Sequence, residues 1–278
     1  MAGHGTGTER RPAAATGRPS TVELTLRAFG HWMVQYRRVW RGSAFSSVLG
    51  PVGFLAAMGI GLGSLVDGGS GSSGVPGGDY LAFLAPGLLA ATAMQTASFE
   101  STYPVMGAIK WQRQYHAMLA TPLRVVDVLA GHVLFVVFRL VTTVSVFLLI
   151  IWAFGAVESP WAVLAVPAGA LTGLAYTTPI FAFAATQQND SGFAMLFRFG
   201  IMPMFLFSGT FFPVSQLPGW LEPVAWAIPL WHGVDLCRDL VLGSPDLLSA
   251  AVHVGYLSLW VVAGFLLAHR ALARRLVD

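Results

Sequence analysis

Charge is what this sequence has least of. Only 10% of its 278 residues are Asp, Glu, Lys or Arg, against 55% apolar, and mean hydropathy is +0.66. A soluble domain carries about 25% charged residues, so this chain must be solvated largely by lipid. The net charge of +3 comes without a dense run of Lys and Arg beside aromatics, which argues against nucleic acid as a partner. A single cysteine, Cys237, excludes an internal disulfide and any CxxC metal knuckle. The histidines at 4, 31, 116, 132, 253 and 269 show neither HExxH nor HxxxH spacing, so no zinc-enzyme signature is present. No GxxxxGK[ST] loop occurs, and the chain therefore does not cradle ATP phosphates in the usual way. An internal repeat of the kind common in secondary transporters is also missing.

What the sequence does have is long apolar runs. Six emerge, at about 45–66, 81–99, 128–153, 161–185, 193–212 and 249–268. Each matches a hydrocarbon core of about 30 Å, and backbone satisfaction in lipid makes them helices. The expected fold is all-α integral membrane with six transmembrane helices, forming one domain over 21–278. Residues 1–20 are polar and rich in Gly, Pro and Thr, with no apolar signal-peptide core, and are expected to form a disordered cytoplasmic tail.

Orientation follows from the basic residues, because excess positive charge stays on the cytoplasmic side. Arg10, Arg11, Arg18, Arg27, Arg37, Arg38 and Arg41 precede the first span, Lys110, Arg113 and Arg124 lie between the second and third, and Arg270, Arg274 and Arg275 follow the sixth. Loops 67–80 and 154–160 have none, and the fifth-to-sixth segment sets Arg238 against Glu222, Asp235, Asp239 and Asp246. Both termini then fall inside a cytoplasmic (inner) membrane.

Three segments between spans stand out. Val22, Leu26, Phe29, Met33, Tyr36 and Trp40 recur at intervals of four and three, with Arg27, Arg38 and Arg41 off that stripe. This predicts an amphipathic helix lying in the interface, with Arg37, Arg38 and Arg41 at the headgroups; a soluble helix packed on a partner is the alternative. Between spans two and three, VMGAIKWQRQYHAML can form a short helix with Ala108, Trp111, Tyr115 and Met118 on one side and Lys110, Arg113, Gln114 and His116 largely off it. Trp, Tyr and Arg dominate protein interfaces, so this is either a docking element or a helix resting on headgroups. After span five, the stretch Trp220–Trp231 is too short to cross and is broken by Pro223 and Pro229. It suits a re-entrant hairpin on the outer face, or a loop on the lipid surface.

YLAFLAPGLLAATAMQTASFE (80–100), KWQRQYHAMLATPLRVVDVLAG (110–131) and FLFSGTFFPVSQLP (205–218) together resemble the membrane subunits of type-2 ABC exporters. The resemblance is to the branch of nodulation lipo-oligosaccharide and drug-resistance permeases, and runs from about residue 20 to the C-terminus. It implies two permease copies around a central pathway, above two separate cytoplasmic ATPase subunits that bind ATP and magnesium. It places a coupling helix on Gly107–Leu119, with Lys110, Trp111, Arg113, Gln114 and Tyr115 as its contact set. The external hairpin falls on Pro213–His232, flanked by Phe212 and including Trp220, Trp226 and Pro229. The N-terminal amphipathic helix also has a family counterpart, which touches the ATPase.

Among the remaining polar residues, Arg139 lies well inside span three and needs a partner, either Glu100 at the end of span two or an anionic group of the cargo. Arg198 sits near enough to the inner end of span five to snorkel. His232, Asp235 and Asp239 share a helical face, but capping and solubilising the outer helix, with Asp235 paired to Arg238, is a better account than a metal site. Gly59 and Gly63 form a GxxxG on span one that suits a close helix contact. The expected function is outward movement of an amphiphilic cargo, a drug, a lipid or a lipid-linked saccharide. An ion-coupled transporter would want paired intramembrane acids, and a lipid-modifying enzyme would want a catalytic cluster at one membrane face. A cysteine introduced at Ser72 should react with an impermeant thiol reagent added outside intact cells; labelling only after lysis would invert the topology.

Overall fold

The computed structural model describes residues 20–57, 80–244 and 246–277, and every regular element among them is a helix. The N-terminal tail, the second half of span one with Gly59 and Gly63, and the loop containing Ser72 lie outside the described residues.

Helix α1 (Thr21–Leu55) begins where the Ser20 hydroxyl accepts a hydrogen bond from the Glu23 amide, satisfying one of the free donors of the first turn. It then runs about 52 Å without a break, so the interfacial stretch and the start of span one are a single rod. Its packed face differs from the expected stripe. Leu24, Ala28 and Trp32 are buried at intervals of four, whereas Val22, Leu26 and Trp40 are exposed. The segment holds apolar residues enough for two faces, and close approach decides between them. A Cβ on Gly131 of α5 (Val125–Ala153) would stand 2.5 Å from that of Ala28, so α1 can seat only on its small-residue side. The predicted stripe is therefore split: Phe29 and Tyr36 pack partly against the core, while Val22, Leu26 and Trp40 face outward.

Helix α2 (Tyr80–Ser101) is buried almost all round. It is followed, after a bend at Thr102, by α3 (Tyr103–Met106) and a π-helical turn over Gly107–Trp111. Pro104 causes the bend: it offers no amide, and its ring collides with the carbonyl four residues back, that of Glu100. After α4 (Gln114–Leu119) and α5 come a 3-10 turn at Pro160–Leu164 and α6 (Ala165–Thr186). The fifth apolar run is split into α7 (Ser191–Met195), a π-helical stretch (Leu196–Ile201) and α8 (Met202–Phe207). It ends there rather than at 212, because the chain turns at Ser208 and Gly209, where φ is +78°. Short α9 (Glu222–Trp226) leads into α10 (Pro229–Leu242) and α11 (Leu247–Leu276).

Among the described residues, four helical runs are long and apolar enough to cross a membrane: Tyr80–Trp111, Val125–Ala153, Pro160–Thr186 and Leu247–Leu276. The apolar Ser191–Phe207 is shorter. Helix α6 is the hub, touching α2, α5, α10 and α11, and α1 lies along α5. The outer side of α11 leaves Leu259, Val262 and Leu266 exposed, as a lipid-facing helix would.

Basic residues collect at one end. Lys110 Nζ donates to the Gln188 carbonyl at 2.7 Å, Arg275 Nη1 to the carbonyls of Ala185 and Gln187 at 2.6 Å each, and Arg124 Nη2 to the Thr21 hydroxyl at 2.7 Å. At the other end, the Glu158 amide bonds to the Val241 carbonyl, and Asp246 caps α11. The charge asymmetry along the chain is thus an asymmetry in space.

The α6–α11 contact sets a prediction. A Cβ at Gly264 would stand 2.6 Å from the ring nitrogen of Pro179, a backbone atom that cannot yield, whereas one at Gly255 meets nothing within 4 Å. Gly264→Ala should cost about 1–3 kcal/mol and Gly255→Ala nothing measurable, read as thermal midpoints in detergent.

Candidate functional site

The segment between α2 and α5 forms a corner. Expected as one helix, it is broken in two at Arg113, which adopts the left-handed conformation (φ 51°, ψ 30°) between the π-helical turn and α4. The Gln112 amide reaches back five residues to the Gly107 carbonyl, widening the last turn before the reversal. Trp111 is consequently not in line with Ala108, Tyr115 and Met118. Those three are buried while Trp111 is 58% exposed. Lys110, Trp111, Gln112 and Arg113 form an exposed tip, and Tyr115 is its anchor.

The anchor is aromatic. Tyr115 is fully buried with its phenol 2.6 Å from His132 Nδ1 of α5, and burial pushes its pKa up, so the phenol stays protonated. His132 stacks on Trp32 of α1 at 3.8 Å between ring centroids, and Trp32 meets Tyr115 edge-on. Gln114 Nε2 donates to Gln35 Oε1 at 3.3 Å, and Lys110 ties the tip to the end of α6. Helices α1 and α5 and the segment just after α6 therefore hold the corner.

About two helical turns along α5 from His132, Arg139 is 6% exposed at the side chain and donates through Nε to Glu100 Oε1 of α2 at 2.9 Å. Its Nη1 donates to the Tyr36 hydroxyl of α1 at 3.1 Å, and the guanidinium lies over the Tyr36 ring. Of the two partners considered for Arg139, Glu100 is the one in contact. The pair borders a cavity of about 160 Å³ shared with Trp32, His132 and Phe135. On α1, Arg37, Arg38 and Arg41 are exposed.

At the acidic end, α10 packs between α2, α6 and α11, with Pro229, Leu230, Val234 and Cys237 buried. Phe212 and Pro213 are half-buried, while Trp220 and Trp226 are exposed. Arg238 does not pair with Asp235. Packed against α2, it lies over the Phe83 ring at 3.9 Å and donates to the Gly209 carbonyl left free after α8. Asp235 instead faces His253 Nε2 at 3.2 Å. His232 is buried too, and its Nδ1 is 2.8 Å from His253 Nδ1. Because the Trp226 carbonyl can only accept, His232 carries a proton on Nε2. Tyr256 stacks on His232 and donates to the Ala227 carbonyl. This cluster joins α9, α10 and α11. Sequence reasoning missed it, since the two histidines are 21 residues apart and no spacing rule links them. Among the described residues, no group of His, Cys, Asp or Glu is arranged to hold a metal.

Among the described residues, the helices and apolar spans are those of a membrane protein, and its family is shown by comparison. Residues 30–242 match the ABC-2 type transporter family, and the chain belongs to it. Nodulation protein J of Rhizobium leguminosarum bv. viciae is 33% identical over 261 residues, 91% of this chain and 98% of that protein. The Rhizobium meliloti (strain 1021) and Neorhizobium galegae proteins of the same name are 32% and 30% identical, covering 89% and 94% of this chain and 94% and 100% of their own lengths. The chain is therefore an ABC-2 permease of the nodulation export branch, a transport component rather than an enzyme.

Removing one partner of a buried ion pair leaves an unpaired charge, which costs about 3–5 kcal/mol. Glu100→Gln should lower the thermal midpoint of the detergent-solubilised permease strongly, and adding Arg139→Met should restore most of the loss.

Proposed function

We propose that this permease is the membrane-spanning half of an ATP-driven exporter, energised by a separate cytoplasmic ATPase subunit that carries the ATP and magnesium. The six apolar runs are read as spans, and the positive-inside rule puts the basic end and both termini in the cytoplasm. The described spans supply four; Ser191–Phe207 and the segment entered by α1 would supply the others. Two copies would enclose the pathway in the cytoplasmic membrane.

The observation that carries this reading is the exposed Lys110–Arg113 tip. An exposed tryptophan flanked by a lysine and an arginine, on a corner braced by α1, α5 and the end of α6, is what a rigid transmitter of force needs. The continuous α1 supports a second contact: Arg37, Arg38 and Arg41 project from a helix whose other side grips α5, within reach of headgroups and of a subunit below. At the opposite end, α9 and α10 support a re-entrant hairpin, because α10 is too short to cross yet is enclosed by three other helices.

The cargo is amphiphilic, a drug, a lipid or a lipid-linked saccharide. An apolar cavity of about 390 Å³ between α6, the α7–α8 run and α11, lined by Tyr176, Pro179, Met204, Ile228 and Trp260, suits an acyl chain better than an ion. Arg139 and Glu100 satisfy each other, which leaves an ion-coupled mechanism without its intramembrane acid.

Trp111→Ala and Arg113→Gly, the latter compatible with the positive φ, should each reduce stimulation of the companion ATPase about tenfold while leaving the permease folded and membrane-inserted. Undiminished stimulation would remove the tip from the coupling path.

A further inference from the structure

At the basic end, between the last turns of α6 and α11, lies a cavity of about 650 Å³. Its floor is apolar, with Phe183, Leu267 and Ala271. Its rim is cationic, with Arg270, Arg274 and Arg275. Among the described residues, no carboxylate lines it.

The three arginines are not equivalent. Arg275 is engaged, donating to the carbonyls of Ala185 and Gln187 and closing the C-terminus of α6. Arg270 and Arg274, one helical turn apart on the same face, are exposed and make no ion pair or hydrogen bond to any described residue. A helix that has just run through an apolar layer thus ends in two exposed guanidinium groups over a greasy floor. Leu266 and Leu267, a turn deeper on α11, are both more than half exposed.

We propose that this groove binds an anionic phospholipid of the adjoining leaflet. The phosphate would sit between Arg270 and Arg274, whose forked donors match phosphate oxygens, and an acyl chain would run along Phe183 and Leu267. The amphiphilic profile favours a lipid over a protein partner: a polar protein surface would leave the floor unfilled, and a lipid fills both parts. The site also adjoins the coupling corner. Gln188, another lining residue, is the residue whose carbonyl Lys110 grips, so a lipid headgroup here would brace the segment that positions the exposed tip.

The test is lipid titration of the purified full-length permease by native mass spectrometry, with phosphatidylglycerol and phosphatidylcholine as probes. The wild type should retain phosphatidylglycerol over phosphatidylcholine. Arg270→Gln/Arg274→Gln should weaken phosphatidylglycerol binding roughly 30-fold and leave phosphatidylcholine unchanged. Arg270→Lys/Arg274→Lys should keep most of the preference. Because neither arginine is bonded to a described residue, the gel-filtration profile of the Gln variant should match wild type. Millimolar glycerol phosphate should not displace the lipid; displacement would reduce the groove to a simple anion site. Equal retention of both lipids by the wild type, or unchanged phosphatidylglycerol binding in the Gln variant, would overturn the proposal. So would loss of ATPase co-purification from that variant with lipid binding intact, which would make the groove a protein-docking surface.

Discussion

A guanidinium placed among apolar helices must be neutralised, and much of the basic half of this molecule is organised around how that is done. Arg139 takes its counter-charge from Glu100 on α2 and a hydroxyl and ring face from Tyr36 on α1, so a single side chain on α5 fixes three helices at one level. Coulombic attraction in a low-dielectric setting is strong, but so is the desolvation of both ions. The pair is therefore better understood as a device that specifies where α1 and α2 sit than as a large net source of stability. With α1 held there, Trp32 reaches His132 and closes the aromatic anchor over Tyr115.

That arrangement gives the corner its stiffness. Its tip is short and exposed, whereas its base is anchored to α1 through Trp32 and Gln35, to α5 through His132, and to the segment just after α6 through Lys110. Push on such a tip and the load passes into helices rather than into a loop. At the far end, α10 is held by Arg238 against α2 and by the His232–His253 pair against α11. The two ends meet in α6, which touches the helices of both, so displacement at one could be felt at the other through a continuous packed element.

Much of this was legible in the sequence, for reasons that also explain the rest. Apolar runs of membrane length and the segregation of Lys and Arg are sums over many residues, and they survive any local error; the family followed from three ordered motifs. What could not be seen depends on single atoms meeting across distance. Hydropathy cannot choose between two apolar faces of α1, because the deciding feature is the absence of a Cβ at Gly131. A helical stripe through Ala108, Trp111, Tyr115 and Met118 is a fair expectation from spacing, but the left-handed backbone at Arg113, an unusual state for a residue with a side chain, breaks it. Asp235 and Arg238 are neighbours on a helix, yet the buried Gly209 carbonyl and a distant histidine outcompete that local pair. Glu100 was identifiable as a partner of Arg139 because so few acids occur near the spans. Scarcity made that inference possible.

The central claim is that the Lys110–Arg113 tip faces a cytoplasmic ATPase. A photo-crosslinking amino acid incorporated at Trp111 in living cells should yield an adduct with the companion ATPase subunit, identified by mass spectrometry, while the same group at Trp220 should yield none. Adducts at Trp111 with lipid alone, or capture of the ATPase from Trp220, would contradict the account.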